Sequence, residues 1–170
     1  MKKARILSVT SIFLVYILLF CVSAYAQDNH FNNNSCVSNA AISYNGSATY
    51  AGYFSTAVQR WNNLGRVTIY YSPSNLTNLM IQNVSDANVT WLGLYTRPSG
   101  QMATIKYNNH ILKNQSAQQI RGVYTHELGH ALGLGDHRSD YYIGIMMYGY
   151  VGSYPENLKS HDISDYNSIH

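Results

Sequence analysis

The chain has 170 residues, with 11 Lys+Arg against 8 Asp+Glu and 2 cysteines. Lys2, Lys3 and Arg5 precede an apolar run from Ile6 to Val22 that ends at Ala24-Tyr25-Ala26, so residues 1–26 read as a secretory signal peptide. Beyond it the charges balance, 8 − 8 = 0, which removes the electrostatic case for nucleic acid or an anionic surface as partner, and Cys36 is left alone, which excludes an intrachain disulfide.

Residues 27–170 suffice for one domain with a single core and are too few for two. The expected product is secreted, extracellular and monomeric, with no stable membrane insertion once the signal is removed. Residues 27–48 read as an N-terminal arm with a candidate first strand. Its start, with Asn32, Asn33 and Asn34 in a row, lacks apolar periodicity and is expected to be flexible. From Thr49 the pattern becomes helical, with Phe54, Ala57, Val58, Trp61 and Leu64 on one face and Gly65 where a helix ends. Val67 to Tyr71 alternates as a strand does, and runs near Leu79–Val84, Val89–Tyr95 and Ala103–Tyr107 read likewise, Pro98-Ser99-Gly100 turning the last pair.

A second helix is expected from Ser116, where Ser116 and Gln119 form an S-x-x-Q capping box and Ile120, Tyr124, Leu128, Ala131 and Leu132 share a face up to Gly133. The tail from Ser160, with Ile163, Tyr166 and Ile169 three apart, predicts a closing helix. Residues 49–170 together are expected to make one α+β domain, a small mixed twisted sheet with this second helix and a C-terminal helix.

The second helix carries His126-Glu127-Leu128-Gly129-His130. Histidines four apart lie on one face a turn apart, so they can fill two corners of a zinc tetrahedron. Glu127 beside them can take the proton of a zinc-bound water as it attacks a carbonyl, and pass it to the leaving amine. Gly133 permits the reversal that brings Asp136 and His137 toward the third corner.

The run His126-Glu127-Leu128-Gly129-His130-Ala131-Leu132-Gly133-Leu134-Gly135-Asp136 resembles the extended motif of the metzincin metallopeptidases, H-E-x-x-H-x-x-G-x-x-H or, in some members, D. The resemblance implies Asp136 as third ligand, as in the snapalysin-like peptidases; His137 is the alternative. Gly144-Ile145-Met146-Met147-Tyr148-Gly149 is similar to the family's Met-turn, with Met146 or Met147 beneath the metal and Tyr148 as a tentative catalytic group. Leu92 to Pro98 and Ala103 to Asn108 look matrixin-like, which implies an edge strand that pairs with an extended substrate. The tail Ser160-His161-Asp162-Ile163-Ser164-Asp165-Tyr166 similarly resembles the family's last helix.

The resemblance implies a metzincin-like fold and a secreted zinc-dependent endopeptidase, a hydrolase acting on protein or peptide substrates with Zn2+ as cofactor. It admits calcium as well, although no acidic loop of the calcium-binding kind is present. The alternative is an inactive secreted peptide- or cell-surface-binding protein that retains the metallopeptidase fold. His30, His110 and His161 show no metal-ligand spacing and read as ordinary exposed or packed histidines.

Overall fold

A computed structural model describes residues 30–74, 76–137, 144–146 and 155–170. The signal segment 1–26, Met147 and Tyr148 lie outside the described residues.

Strand β1 (Ala41–Gly46) falls within the segment 27–48. Helix α1 (Ala51–Asn62) follows and buries Phe54, Ala57 and Trp61, the face that the apolar spacing marks. Strands β2 (Thr68–Tyr71), β3 (Leu79–Val84), β4 (Gly93–Thr96) and β5 (Ala103–Asn108) come next, then a one-turn helix α2 (Asn109–Leu112). The long helix α3 (Ala117–Leu132) and the closing helix α4 (Ser160–Ile169) complete the described elements.

The strands form one sheet in the order β2-β1-β3-β5-β4. The β1–β2, β1–β3 and β3–β5 pairs are parallel and β4–β5 is antiparallel, so β4 is an edge strand beside an otherwise parallel sheet. Period-two alternation turns Leu79 and Ile81 of β3 and Ala103, Ile105 and Tyr107 of β5 inward. Helix α3 packs against α1, β4 and β5. Trp61 is fully buried between the helices and donates its indole N–H to Thr125 O at 2.9 Å, which satisfies the polar edge of a large apolar side chain.

Three local expectations change. The strand expected at Val89–Tyr95 pairs only from Gly93, because the chain first loops around Asn108, whose side chain accepts the Asp86 N–H and donates to Asp86 O. The apolar pattern of helix α3 marks a single buried face. Instead it buries Ile120, Val123, Tyr124, Glu127, Leu128, Gly129, Ala131 and Leu132, since sheet and α1 cover one side and the chain around Ile145 and Met146 another.

The N-terminal arm is also docked rather than loose from His30 onward. Phe31 bridges Leu134, the Asn32 N–H donates to Gly133 O at 2.8 Å, and the Cys36 N–H donates to Ala131 O at 3.0 Å. The Asn32 amide donates to His130 O at 3.1 Å and Leu134 O at 2.6 Å. A helix C-terminus leaves carbonyls without internal partners, and here the arm supplies donors for them. Such a segment is held by hydrogen bonds, so it shows no apolar period.

Candidate functional site

Helix α3 begins as its cap predicts: Ser116 Oγ accepts the Gln119 N–H at 3.2 Å and Gln119 Oε1 accepts the Ser116 N–H at 2.9 Å. It ends at Gly133, whose φ of 109° is a backbone state that a side chain would strain. Between these ends, His126 and His130 project to the same side, and the reversal after Gly133 returns Asp136 to them. Asp136 Oδ1 lies 3.3 Å from His126 Nε2 and 3.4 Å from His130 Nε2. Tetrahedral zinc with bonds of about 2.0–2.2 Å sets neighbouring donor atoms roughly 3.3–3.5 Å apart, so the two distances from Asp136 match the edges of such a site, and all three ligand atoms lie within 4.8 Å of one another.

Each imidazole is fixed by its other nitrogen. His126 Nδ1 lies 2.8 Å from Ile145 O and His130 Nδ1 lies 2.9 Å from Leu134 O. Donation of Nδ1–H to a carbonyl makes Nε2, which faces Asp136, the nitrogen that a metal would take once its proton is released. Burial lowers the His126 pKa, but the bond to Asp136 and the charges of Glu127 and Asp136 outweigh it and push the value up to about 9. Burial acts to raise the Asp136 pKa, but bonds to His126 and His130 win and hold its carboxyl well below the usual carboxylate range.

Glu127 is 5% exposed and faces the same space. Burial raises its pKa, opposed by the charges of His126 and His130 and by the Tyr95 backbone N–H. A Cβ at Gly93 would stand 2.5 Å from Glu127 Cγ, so the edge strand passes close over this carboxylate only because that position has no side chain. A metal on His126, His130 and Asp136 would keep a position open toward Glu127, which would accept a proton or hydrogen bond from its occupant.

The site forms the floor of a cleft of about 590 Å³, with Trp91 to Tyr95 along one wall and Asn32 and Asn34 on the other. Tyr95 ties the walls together, its hydroxyl donating to Asn34 O while its ring stacks 6.3 Å from His130. Beneath the helix, Met146 is fully buried against Gly129, where a Cβ would lie 2.3 Å from its sulfur. Of the two methionines considered for this place, Met146 is the one within the described residues; Met147 and Tyr148 are outside them.

His137, the alternative third ligand, does not join His126 and His130. It is fully buried in a second group with His30, His161 and Asp165. Sequence reasoning passed over His30, whose neighbours in that group come from distant parts of the chain, and His161, for which the four-residue spacing to Asp165 on α4 was the available signal. It also missed Asp162, which is fully buried and accepts the Ile145 N–H at 3.0 Å, the Met146 N–H at 3.1 Å and the Lys159 N–H at 2.7 Å. Asp162 thereby sets the segment whose carbonyl orients His126. Its position at N3 of α4, three residues after Lys159, was the available signal.

No family model matches the chain, and no curated protein matches it. Among solved structures the chain is similar to one from the GM1 bound form of the ECX AB5 holotoxin, with a TM-score of 0.59 and 13% identity, over 84% of this chain and 86% of that chain. At such identity the likeness shows the fold alone. It corrects the expected metzincin-like domain to a five-stranded mixed sheet with helices, of the kind found in that toxin chain.

The identification with matrixin-like or snapalysin-like peptidases is withdrawn on the same finding. With the family goes the expected zinc-endopeptidase activity with its hydrolase and protease classification, which rested on that resemblance. The physical reason is that H-E-x-x-H spacing sets two imidazoles on one helix face in any fold; it reports local geometry, not ancestry or reaction. The chain has a ligand-sized cleft, and no described helix is long and apolar enough to cross a membrane.

Proposed function

We propose that this chain is an exported zinc-binding protein that captures an extended peptide segment displayed at a cell surface. His126, His130 and Asp136 hold the metal, and an oxygen of the ligand occupies its open position. One observation carries the reading: three donor atoms with zinc spacing converge on the floor of a cleft whose wall is the edge strand β4. Leu92 O accepts the Asn108 N–H, so the backbone groups of Gly93 and Tyr95 alternate away from β5, the Tyr95 N–H toward Glu127 and the rest along the cleft edge. A sheet edge of this kind recognises extended polypeptide by main-chain hydrogen bonds. Glu127 accepts from the ligand or from water beside the metal. Export is supported by the signal pattern of residues 1–26.

The test uses the purified chain from Gln27, stripped and reloaded with zinc, on a surface array of extended peptides, with GM1 vesicles as a second probe because the similar holotoxin is a GM1 bound form. Peptide retention should require zinc and fall to background in His130→Ala. Retention that survives both chelation and His130→Ala would overturn the reading. Vesicle binding without peptide binding would also overturn it. So would recovery of shortened peptides from the wild type and intact ones from Glu127→Ala, because the cleft would then be a place of reaction and not of capture.

A further inference from the structure

His30, His137, His161 and Asp165 come from the N-terminal arm, the segment after α3, and one face of α4, yet their ligand-type atoms all lie within 4.8 Å of one another. Asp165 Oδ2 is 3.2 Å from His30 Nδ1, 3.1 Å from His137 Nε2 and 3.3 Å from His161 Nε2. The rings crowd together, with centroids 4.8 Å apart for His30 and His137, 5.0 Å for His30 and His161, and 4.5 Å for His137 and His161. We infer that these four side chains form a second zinc site, a closed three-histidine, one-carboxylate centre that fastens the N-terminal arm and α4 to the segment carrying Asp136.

Three imidazole nitrogens surround one carboxylate oxygen of Asp165 within 3.3 Å. A divalent cation would be a common target for the four donor atoms, and the 3.1–3.3 Å separations of the imidazole nitrogens from Asp165 Oδ2 match the edge of a zinc tetrahedron, about 3.3 Å. Three nitrogens and one oxygen is a donor set that zinc accepts, and four protein ligands leave no open position, which makes the centre structural.

The supporting geometry fits. His161 and Asp165 are four apart on α4, so one helix face delivers both. His137 is fully buried and its backbone N–H donates to Met146 O at 2.7 Å, while Gly135 N–H donates to His30 O at 3.0 Å, so the site is tied to the backbone on two sides. The His30 and His161 side chains are 33% and 21% exposed, which leaves a path for the ion to enter. Asp136 and His137 are neighbours in sequence and serve different centres, so the closed site holds in place the residue that completes the open one.

Metal content decides the matter. The chain from Gln27, stripped with chelator, reloaded with Zn2+ and passed over a desalting column, should retain two equivalents; His126→Ala should retain one, and His126→Ala with His161→Ala none. Co2+ loaded into His126→Ala should give the visible spectrum of a tetrahedral site, abolished by adding His161→Ala. Retention of the same number of equivalents by wild type and His161→Ala overturns the proposal, whatever the state of the first centre. If His161→Ala fails to fold, His30→Ala on the exposed arm takes its place: one equivalent fewer than wild type supports the second site and an unchanged number overturns it.

Discussion

Asp162 shows how much of the geometry around His126 depends on a residue outside the proposed metal centre. Its carboxylate accepts three backbone N–H groups and is fully buried, and one of those groups belongs to Ile145, whose carbonyl holds His126 Nδ1. Asp162→Ala leaves these donors without acceptors, which predicts a loss of about 3 kcal/mol in denaturant unfolding. It also predicts zinc affinity at His126 weaker by roughly 10–100-fold in a competition titration, the range seen when the partners that orient ligands are removed. Gly129 makes a second prediction at this scale. An added methyl would meet the Met146 sulfur at 2.3 Å, so Gly129→Ala should cost about 1–3 kcal/mol, and combining it with Met146→Ala should cost less than the two changes summed. The histidine pair and Glu127 were legible in the sequence because a helix converts spacing directly into direction. The full roles of Asp162, His30 and His161 were not, because Ile145, Met146 and His137 reach them only through tertiary packing.

The elements divide along the same line. Helices α1 and α3 and strands β2, β3 and β5 sit where apolar period and caps place them, since each of those signals is local. Helix α3 depends on its first turn as well as its packed faces. Ser116→Ala removes one half of the capping box and should lower unfolding free energy by about 1 kcal/mol while leaving zinc content unchanged. Strand β4 was placed too early because the side-chain alternation of 89–95 is real, yet pairing is decided by register with β5 and by the Asn108 loop. The arm from His30 was read as loose for want of apolar residues. Its amide side chains supply what the end of α3 lacks, and Asn32→Ala, which withdraws donors from His130 O and Leu134 O, should raise hydrogen exchange at the C-terminal turn of α3.

At the scale of the whole molecule, no disulfide joins segments among the described residues; Cys36 is buried, and burial pushes its thiol pKa up to about 11, which disfavours the reactive thiolate. Metal is the natural cross-link in such a chain. An ion that binds the folded state alone stabilises it by about 4 kcal/mol at a free concentration a thousandfold above its Kd, so stripping should lower Tm by roughly 10 °C, read by calorimetry at fixed pH. The family expectation failed at this scale and not at the local one. A motif of a few residues fixed the placement of the imidazoles, whereas fold and function belong to the assembled molecule, and there the similar structure is a holotoxin chain at 13% identity. The measurement that bears most directly on the account is the affinity of the zinc-loaded chain and of Asp136→Ala for an immobilised extended peptide, with the mass of the recovered peptide read in the same experiment. The account predicts zinc-dependent binding by the wild type, loss of that binding in Asp136→Ala, and peptide recovered intact; equal binding by both proteins, or peptide recovered cleaved by the wild type, would contradict it.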